Sequence, residues 1–220
     1  TPPFPSVANS LVLKEASIGR KTPAPYRVEI VKDGQGEPTG VFLEWNRAPL
    51  VEYTLLRKVP RFTHEDRVEG IRLGARIYTA LGTTSGYEGH GLTPAVIQAY
   101  REVHEAGDLT VRMHLPVSVP SASKTDAELV DLFYHWAAVA GGPGIGDDYF
   151  RVAGVTLDLG DPDLAAIIGT GYPYEQWAGF FYQGLSDERF VRLGVEAIRA
   201  GLRINTLVCY DLERAIRLFE

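Results

Sequence analysis

The sequence predicts an α/β fold, and three observations lead there. From Leu81 to Glu220 a short apolar or alternating segment is followed four times by a segment of helical period. The segments of helical period open on residues that cap helices, Thr93, Thr125, Ser186 and Asp211, and two of them stop at Gly107 and Gly201. The chain has 220 residues, 45% hydrophobic and 23% charged, enough for one large domain or two small ones. Strands alternating with helices imply parallel strands joined by right-handed crossovers.

Taken in order, Val28–Lys32 and Gly40–Glu44 read as the arms of a β-hairpin, with Asp33-Gly34 supplying the positive-φ turn. Residues 46–62 show no period and read as connection. Thr63 is placed to cap a helix carrying Val68, Ile71, Ala75 and Tyr78 and ending near Ala80. A strand within Leu81–Tyr87 leads to Thr93-Pro94, a cap followed by proline at the first helical position, and then to the stripe Val96, Tyr100, Val103. Leu109–Val117 alternates as a strand. Thr125 and Glu128 form a capping box for a helix with Leu129, Leu132, Phe133, Trp136 and Ala140 inward. Phe150–Leu159 is the next strand. The helix after Ser186 turns Phe190, Leu193, Ala197 and Ile198 inward. Arg203–Cys209 is a strand, and the helix capped by Asp211 carries Leu212, Ala215, Ile216 and Phe219. Residues 1–62 therefore form a hairpin-bearing segment and 63–220 the repeating part. Four β-α units are half of a (β/α)₈ barrel, which needs about 250 residues. The residues alone leave an open doubly wound sheet and a barrel section both possible.

The net charge of −6 argues against nucleic acid and anionic membrane as partners, since both select a basic surface. No apolar run approaches the length of a spanning helix, and the opening Thr-Pro-Pro-Phe-Pro lacks the pattern of a signal peptide. Without an initiator Met, residue 1 reads as something other than a natural start. One cysteine, Cys209, excludes an internal disulfide and is compatible with a cytoplasmic location. It reads as a buried hydrophobe rather than a nucleophile.

In α/β folds the chemistry sits where strands end and helices begin. Glu88 and His90 bracket a glycine on a tight turn, with Tyr87 beside them; a carboxylate and an imidazole there suit proton transfer or metal binding. His114 alternates with Met113 and Leu115 and so faces the other side of its strand, as a ligand or as a hydrogen-bonded core histidine. Asp158 shares a strand face with Thr156, as a base, a ligand or a cap. Asp211 reads first as an N-cap. Tyr174, Trp177, Phe180 and Phe181 form an apolar wall for a substrate or part of the core. His64, His104 and His135 read as exposed and idle. Gly142-Pro143-Gly144-Ile145-Gly146 follows a helix and precedes a strand, the reverse of a phosphate loop.

Several phrases resemble amidohydrolase family 3, in the branch of N-substituted formamide deformylase-like hydrolases. They are Ala8-Asn9-Ser10 with Thr22-Pro23-Ala24-Pro25, the hairpin ending Gly36-Glu37-Pro38-Thr39-Gly40, Gly82-Thr83-Thr84-Ser85, Phe150–Asp161 and Gly201–Glu220. The resemblance implies strands two to five of a TIM-type (β/α)₈ barrel, preceded by an inserted β-hairpin segment. It also implies hydrolysis of amide-type C–N bonds of a small molecule by water activated on a divalent metal, zinc first. Glu88 then stands where the family has Asp. The family's fourth-strand Lys is Thr156 here and its fifth-strand His is Leu207, and neither side chain replaces those ligands. Its first-strand His pair, sixth-strand His and last-strand Asp have no counterpart in these 220 residues.

The sequence-based expectation is a hydrolase with Glu88, His90, Asp158 and Asp211 as catalytic groups and His90 and His114 as metal ligands in a rebuilt site. Tyr87, His114, Tyr174, Trp177 and Phe181 would contact substrate. The alternatives are metal-independent acid–base chemistry on the same residues, or a non-catalytic piece completed by a partner. The remaining strands would come from the same or another chain, and a homodimer is expected by analogy with barrel enzymes.

Overall fold

The computed structural model describes residues 4–45, 50–57, 59–160, 178–208 and 212–220. They divide into two compact units, one over the residues up to Arg61 and one from Phe62 onward.

The first unit is a three-stranded antiparallel sheet in the order β1-β3-β2, with β1 at Phe4–Val7, β2 at Val28–Lys32 and β3 at Pro38–Glu44. Helices α1 (Ser10–Glu15) and α2 (Leu50–Thr54) complete it. Val28, Ile30 and the fully buried Phe42 form its core. The turn departs from the expected Asp-Gly geometry. The Asp33 carboxylate accepts the amides of Gln35 and Glu37, and Gly36, not Gly34, takes the positive φ of 83°. An Asx-type turn of this kind holds Gly34 and Gln35 in ordinary conformations and moves the left-handed position to its end. Gly40 has φ 92°, and a Cβ there would lie 2.1 Å from the Ala8 carbonyl oxygen. Only glycine allows that approach. Helix α2 falls inside the segment read as connection. It has five residues, too few for a visible period, yet Leu50 and Val51 are fully buried and the Leu50 amide donates to the buried Glu44 carboxylate.

In the second unit the long helices follow their local signals. α3 (His64–Ala80) and α5 (Asp126–Ala140) both open on capping boxes, Thr63 with Asp66 and Thr125 with Glu128. α4 (Pro94–Glu105) has Thr93 at the N-cap, but the Thr93 side chain makes no capping bond; its amide donates instead to the Gly179 carbonyl. α6 (Asp187–Arg199) is capped by Ser186, and α7 spans Leu212–Phe219. The strands are shorter than expected: β4 Ser85–Tyr87, β5 Arg112–Ser118, β6 Ile145–Gly146, β7 Phe150–Thr156 and β8 Ile204–Asn205. β4, β5, β7 and β8 pair in chain order and all in parallel, while β6 runs antiparallel beside the start of β7.

Residues from α3, α4, α5 and α6 share one buried cluster with Leu115, Val117, Val152, Val155 and Leu157. The described helices α3 to α6 therefore lie on one face of the sheet, which is consistent with a section of a barrel wall. His114, Pro116, Ser118, Thr156 and Asp158 alternate onto the opposite face.

Some inward assignments fail. Tyr78, Ile198, Leu212, Ile216 and Phe219 are half or more exposed. On α6 the buried stripe is Phe190, Leu193, Gly194 and Ala197, and Ile198 lies a further 100° round the helix. α7 buries Ala215 and touches Phe190 through the edge of Phe219, with ring centroids 5.5 Å apart. His104, read as idle, stacks on Phe150 at 5.7 Å and pairs with Asp147 at 3.0 Å. The pairing of His135 with Asp131 is fully exposed and matches its reading.

Gly70 and Gly74 sit inside α3, and a Cβ at either would meet nothing within 4 Å. Helix propensity then decides the sign of a substitution. Gly74→Ala is expected to stabilise the protein by about 1 kcal/mol, measured as an increase in the urea midpoint at constant slope.

Candidate functional site

The site is built at the carboxyl ends of β4, β5 and β7, all in the second unit. β4 stops at Tyr87, the Glu88 amide donates to the His114 carbonyl, and pairing to β5 resumes at Leu92 opposite Val117. Four residues of this edge, Glu88 to Gly91, thus bulge out where β5 advances by two. The bulge puts the Glu88 and His90 side chains together. Glu88 Oε1 accepts from the His90 amide and pairs with His90 Nδ1, both at 3.1 Å. On the neighbouring strand His114 lies level with Tyr87, the rings tilted at 47° with centroids 5.4 Å apart.

β7 reaches the site through a bulge of its own. Leu115 pairs with Val152 but Val117 with Val155, so Ala153 and Gly154 stand opposite Pro116 alone. Bulges of this kind re-aim side chains near strand ends. This one turns Thr156 and Asp158 to the face that carries His114 and Ser118. Asp158 Oδ1 accepts the amide of Leu207, 3.1 Å away, from the segment after β8.

Residues 178–185 strap across these ends. The Phe181 amide donates to the buried Ser118 hydroxyl at 3.0 Å, and Leu185 bridges to Leu159. Gln183, buried to 2%, donates to the Thr156 carbonyl at 2.7 Å and accepts the Asp158 amide at 3.2 Å. Phe180 stacks on His90 at 4.4 Å. The strap therefore holds both the backbone of Asp158 and the ring of His90. Gln183, Ser118 and Phe180 as the stacking ring were not singled out from sequence. The available signal was a lone amide, Gln183, just after the aromatic run read as a substrate wall. Gln183→Leu strands two backbone groups of β7 and is expected to cost about 2 kcal/mol, read from chemical denaturation.

The electrostatics divide the carboxylates. Burial alone would raise the Glu88 pKa, but the hydrogen bonds and charge of His90 hold it below the ordinary value. The bond to Glu88 raises His90 in turn, against a smaller effect of burial, with Asp158 adding to the rise. Their bond favours the carboxylate and the charged imidazole together. Burial pushes Asp158 up to about 6, against the opposing pull of the Leu207 amide and of His90. Tyr87 is pushed up to about 12 by burial and by the charges of Glu88 and Asp158, so its phenol stays protonated. One carboxyl held below its ordinary value by an imidazole, and a second pushed up to about 6, is the separation expected of an acid–base pair.

Tyr87, Glu88, His90, His114 and Asp158 are thus gathered at one end of the sheet. Phe181 contributes its backbone amide there, and Phe180 rather than Phe181 faces His90. Tyr174, Trp177, Cys209 and Asp211 lie outside the described residues.

A parallel sheet with the described helices on one face and titratable groups at its strand ends is consistent with a section of an α/β barrel. The chain belongs to the amidohydrolase family, whose model matches residues 4–211. Two solved structures are similar over 98% of the chain. An uncharacterized metal-dependent hydrolase from Pyrococcus horikoshii is 20% identical with a TM-score of 0.55, and one from Pyrococcus furiosus is 18% identical with 0.56. The chain spans 40% and 41% of their lengths, so the likeness concerns the fold of that section. A search of curated proteins returns no match.

Among the described residues no three His, Cys, Asp or Glu are close enough to share an ion. Thr156 is fully buried, and its hydroxyl has no hydrogen-bond partner among the described residues. Leu207 gives its backbone amide to Asp158. No described helix is long and apolar enough to cross a membrane.

Proposed function

We propose that this chain is the section of an amidohydrolase-type enzyme, strands two to five of its barrel, that carries the acid–base groups for hydrolysing an amide-type C–N bond of a small molecule. The observation that carries the reading is the Glu88–His90 ion pair beside a carboxyl group held near 6. Above that pH Asp158 is ionised and takes a proton from water as the water oxygen bonds to the carbonyl carbon. His90, kept protonated by Glu88, gives its proton to the leaving nitrogen as the C–N bond breaks. Tyr87, protonated and facing the same end, is a donor for the carbonyl oxygen. The products are a carboxylic acid and an amine, so atoms and protons balance. The formamide deformylase-like branch and the inserted hairpin belong to this reading and rest on the sequence resemblance, and the cytoplasmic location rests on the single cysteine, Cys209.

The test is a panel of small amides assayed with the protein. The expected pH profile is bell-shaped, with its acid limb near 6 from Asp158 and an alkaline limb from His90 that its bond to Glu88 moves to higher pH. Absence of amide hydrolysis across the panel would overturn the reading.

The likeness to the two Pyrococcus metal-dependent hydrolases favours a second reading in which a divalent metal, zinc or another, takes part, with His90 and His114 as two of its ligands. Any three-ligand site would then draw on a residue beyond those described. Elemental analysis decides it: metal content should fall in both His90→Ala and His114→Ala, and undiminished content in the two variants sinks it.

A further inference from the structure

A cavity of about 270 Å³ lies between α3, α4 and the β4–β5 edge. Its floor is apolar, made by Ile71, Val96, Leu109, Val111 and Met113, all of which belong to the core cluster or pack against it. Met113 alternates with His114 along β5, so the cavity opens behind the sheet, on the face opposite His114. An engineered apolar cavity of about 150 Å³ accepts benzene. A volume nearly twice that holds a six-membered ring with several further atoms.

Two features separate this space from a packing defect. Gly70 and Gly74, one helical turn apart on α3, both line it, and a Cβ at either would meet nothing within 4 Å. Glycine inside a helix is unfavourable relative to alanine. Here no backbone approach or positive φ calls for it, and its consequence is the open volume. The second feature is a negative charge. Glu88, just beyond β4, lines the cavity, and a glutamate is ionised at neutral pH. Both bonds from His90 fall on Glu88 Oε1, and among the described residues none donates to Oε2. The charge is felt within the space: together with burial it pushes the phenol of Tyr100, on the same wall, up to about 12. Tyr78 is a second aromatic ring on that wall, and aromatic rings attract cations. Arg67 also lines the cavity and has an interaction of its own.

We propose that this cavity is a second ligand site, for a small organic cation whose ring or branched alkyl group fills the space above Gly70 and Gly74 while its primary ammonium donates to Glu88 Oε2. Glu88 then serves two partners, His90 through one oxygen and the ammonium through the other. The protein divides another carboxylate in this way: Asp126 accepts Arg189 on Oδ1 and Arg192 on Oδ2. The occupant lies behind the sheet and reaches the opposite face only through Glu88, so it is a ligand that bears on His90 from behind and not the molecule acted on there. Gly70 and Gly74 set how large a hydrocarbon group the site takes. The inference concerns binding alone and stands whether or not the chain cleaves amides.

The experiment is titration calorimetry at neutral pH with four probes: cyclohexylmethylammonium, its uncharged counterpart cyclohexylmethanol, cyclohexanecarboxylate and methylammonium. The ring-bearing ammonium should bind tenfold or more tighter than each of the other three. Gly74→Leu, which fills the space, should weaken it tenfold or more. Gly74→Ala, which adds one methyl group and strengthens the helix, should weaken it a few-fold and serves if the leucine variant does not fold. Glu88→Gln should bring the ammonium down to the affinity of the alcohol and leave the alcohol where it was. In NMR spectra the ring-bearing ammonium should move the His90 amide resonance, because that amide donates to the other oxygen of Glu88. A cation attracted only by the net charge of −6 would not depend on residue 74, and the carboxylate probe reports whether Arg67 rather than Glu88 orients the ligand. Alcohol or carboxylate binding as tight as the ammonium, affinity unchanged in both Gly74 variants, or no binding of the ring-bearing ammonium overturns the site.

Discussion

Asp158→Asn is expected to lower amide turnover by about 10²–10⁴-fold, the range contributed by a positioned acid–base group. The substitution keeps the shape of the side chain and the acceptor oxygen that meets the Leu207 amide, so the loss reports the proton and not the fold. The acid limb of the pH profile should disappear with it, because burial places that titration at about 6. Stability should change in the opposite direction. A carboxyl group whose pKa is higher folded than unfolded favours the folded state at low pH. That advantage is lost as pH rises from 3.8 through about 6. Above pH 7 the protein bears the full cost of ionising Asp158 beside the strand ends. Removing it should raise stability at pH 8 by on the order of 2 kcal/mol and flatten the stability profile between pH 4 and 6. A variant that loses activity and stability together at pH 8 would mark Asp158 as a structural residue.

Gly91→Ala is the second large effect. Gly91 has φ 72°, and a Cβ there would lie 2.7 Å from Thr156 Oγ1 and 2.9 Å from the Ser118 amide nitrogen. The left-handed conformation costs an L-residue about 1–2 kcal/mol, and contact with a backbone atom that cannot move aside adds a similar amount. A loss of about 3 kcal/mol is expected by denaturant unfolding. The displaced groups are those that hold the strap and the end of β7, so kcat should fall as well. Serine at position 118 is fully buried and accepts the Phe181 amide; its shift would be felt at Phe180, the ring stacked on His90. Unfolding midpoints equal to those of the unmodified protein would show that the Glu88–Gly91 bulge can relax without disturbing β5 and β7.

His90 provides a further check through its partner. With Glu88→Gln the imidazole keeps a neutral acceptor at most and loses the charged partner that raises its pKa, so the alkaline limb of the profile should move to lower pH while the acid limb stays near 6. NMR titration of the His90 ring measures the same displacement without substrate. An unmoved His90 titration would remove Glu88 from its proposed role.

The sequence by itself determined the elements whose signals are local. Thr63 with Asp66 and Thr125 with Glu128 start helices through bonds that span three residues, and Val96, Ala99 and Val103 bury because the period of one helix places them together. The alternation of Leu109 to Val117 put His114 on the face opposite Leu115 before any partner strand was known. The neighbourhood of Glu88 and His90 was legible too, since two residues across a glycine cannot be far apart. Only the tertiary structure decided what reaches them from elsewhere in the chain. Asp158 comes within electrostatic range because β7 carries a bulge at Ala153-Gly154 that no periodicity reveals. Its raised pKa comes from burial, which belongs to the assembled strand ends rather than to any sequence pattern. Gln183 is 25 residues from the amide it accepts and 27 from the carbonyl it donates to, beyond the reach of any local rule. The one-sided layer of the described helices depends likewise on crossovers packing side by side. The empty volume above Gly70 and Gly74 belongs to the same class, because a glycine in a helix shows only what is missing from one wall. What lies opposite is set by α4 and the β4–β5 edge.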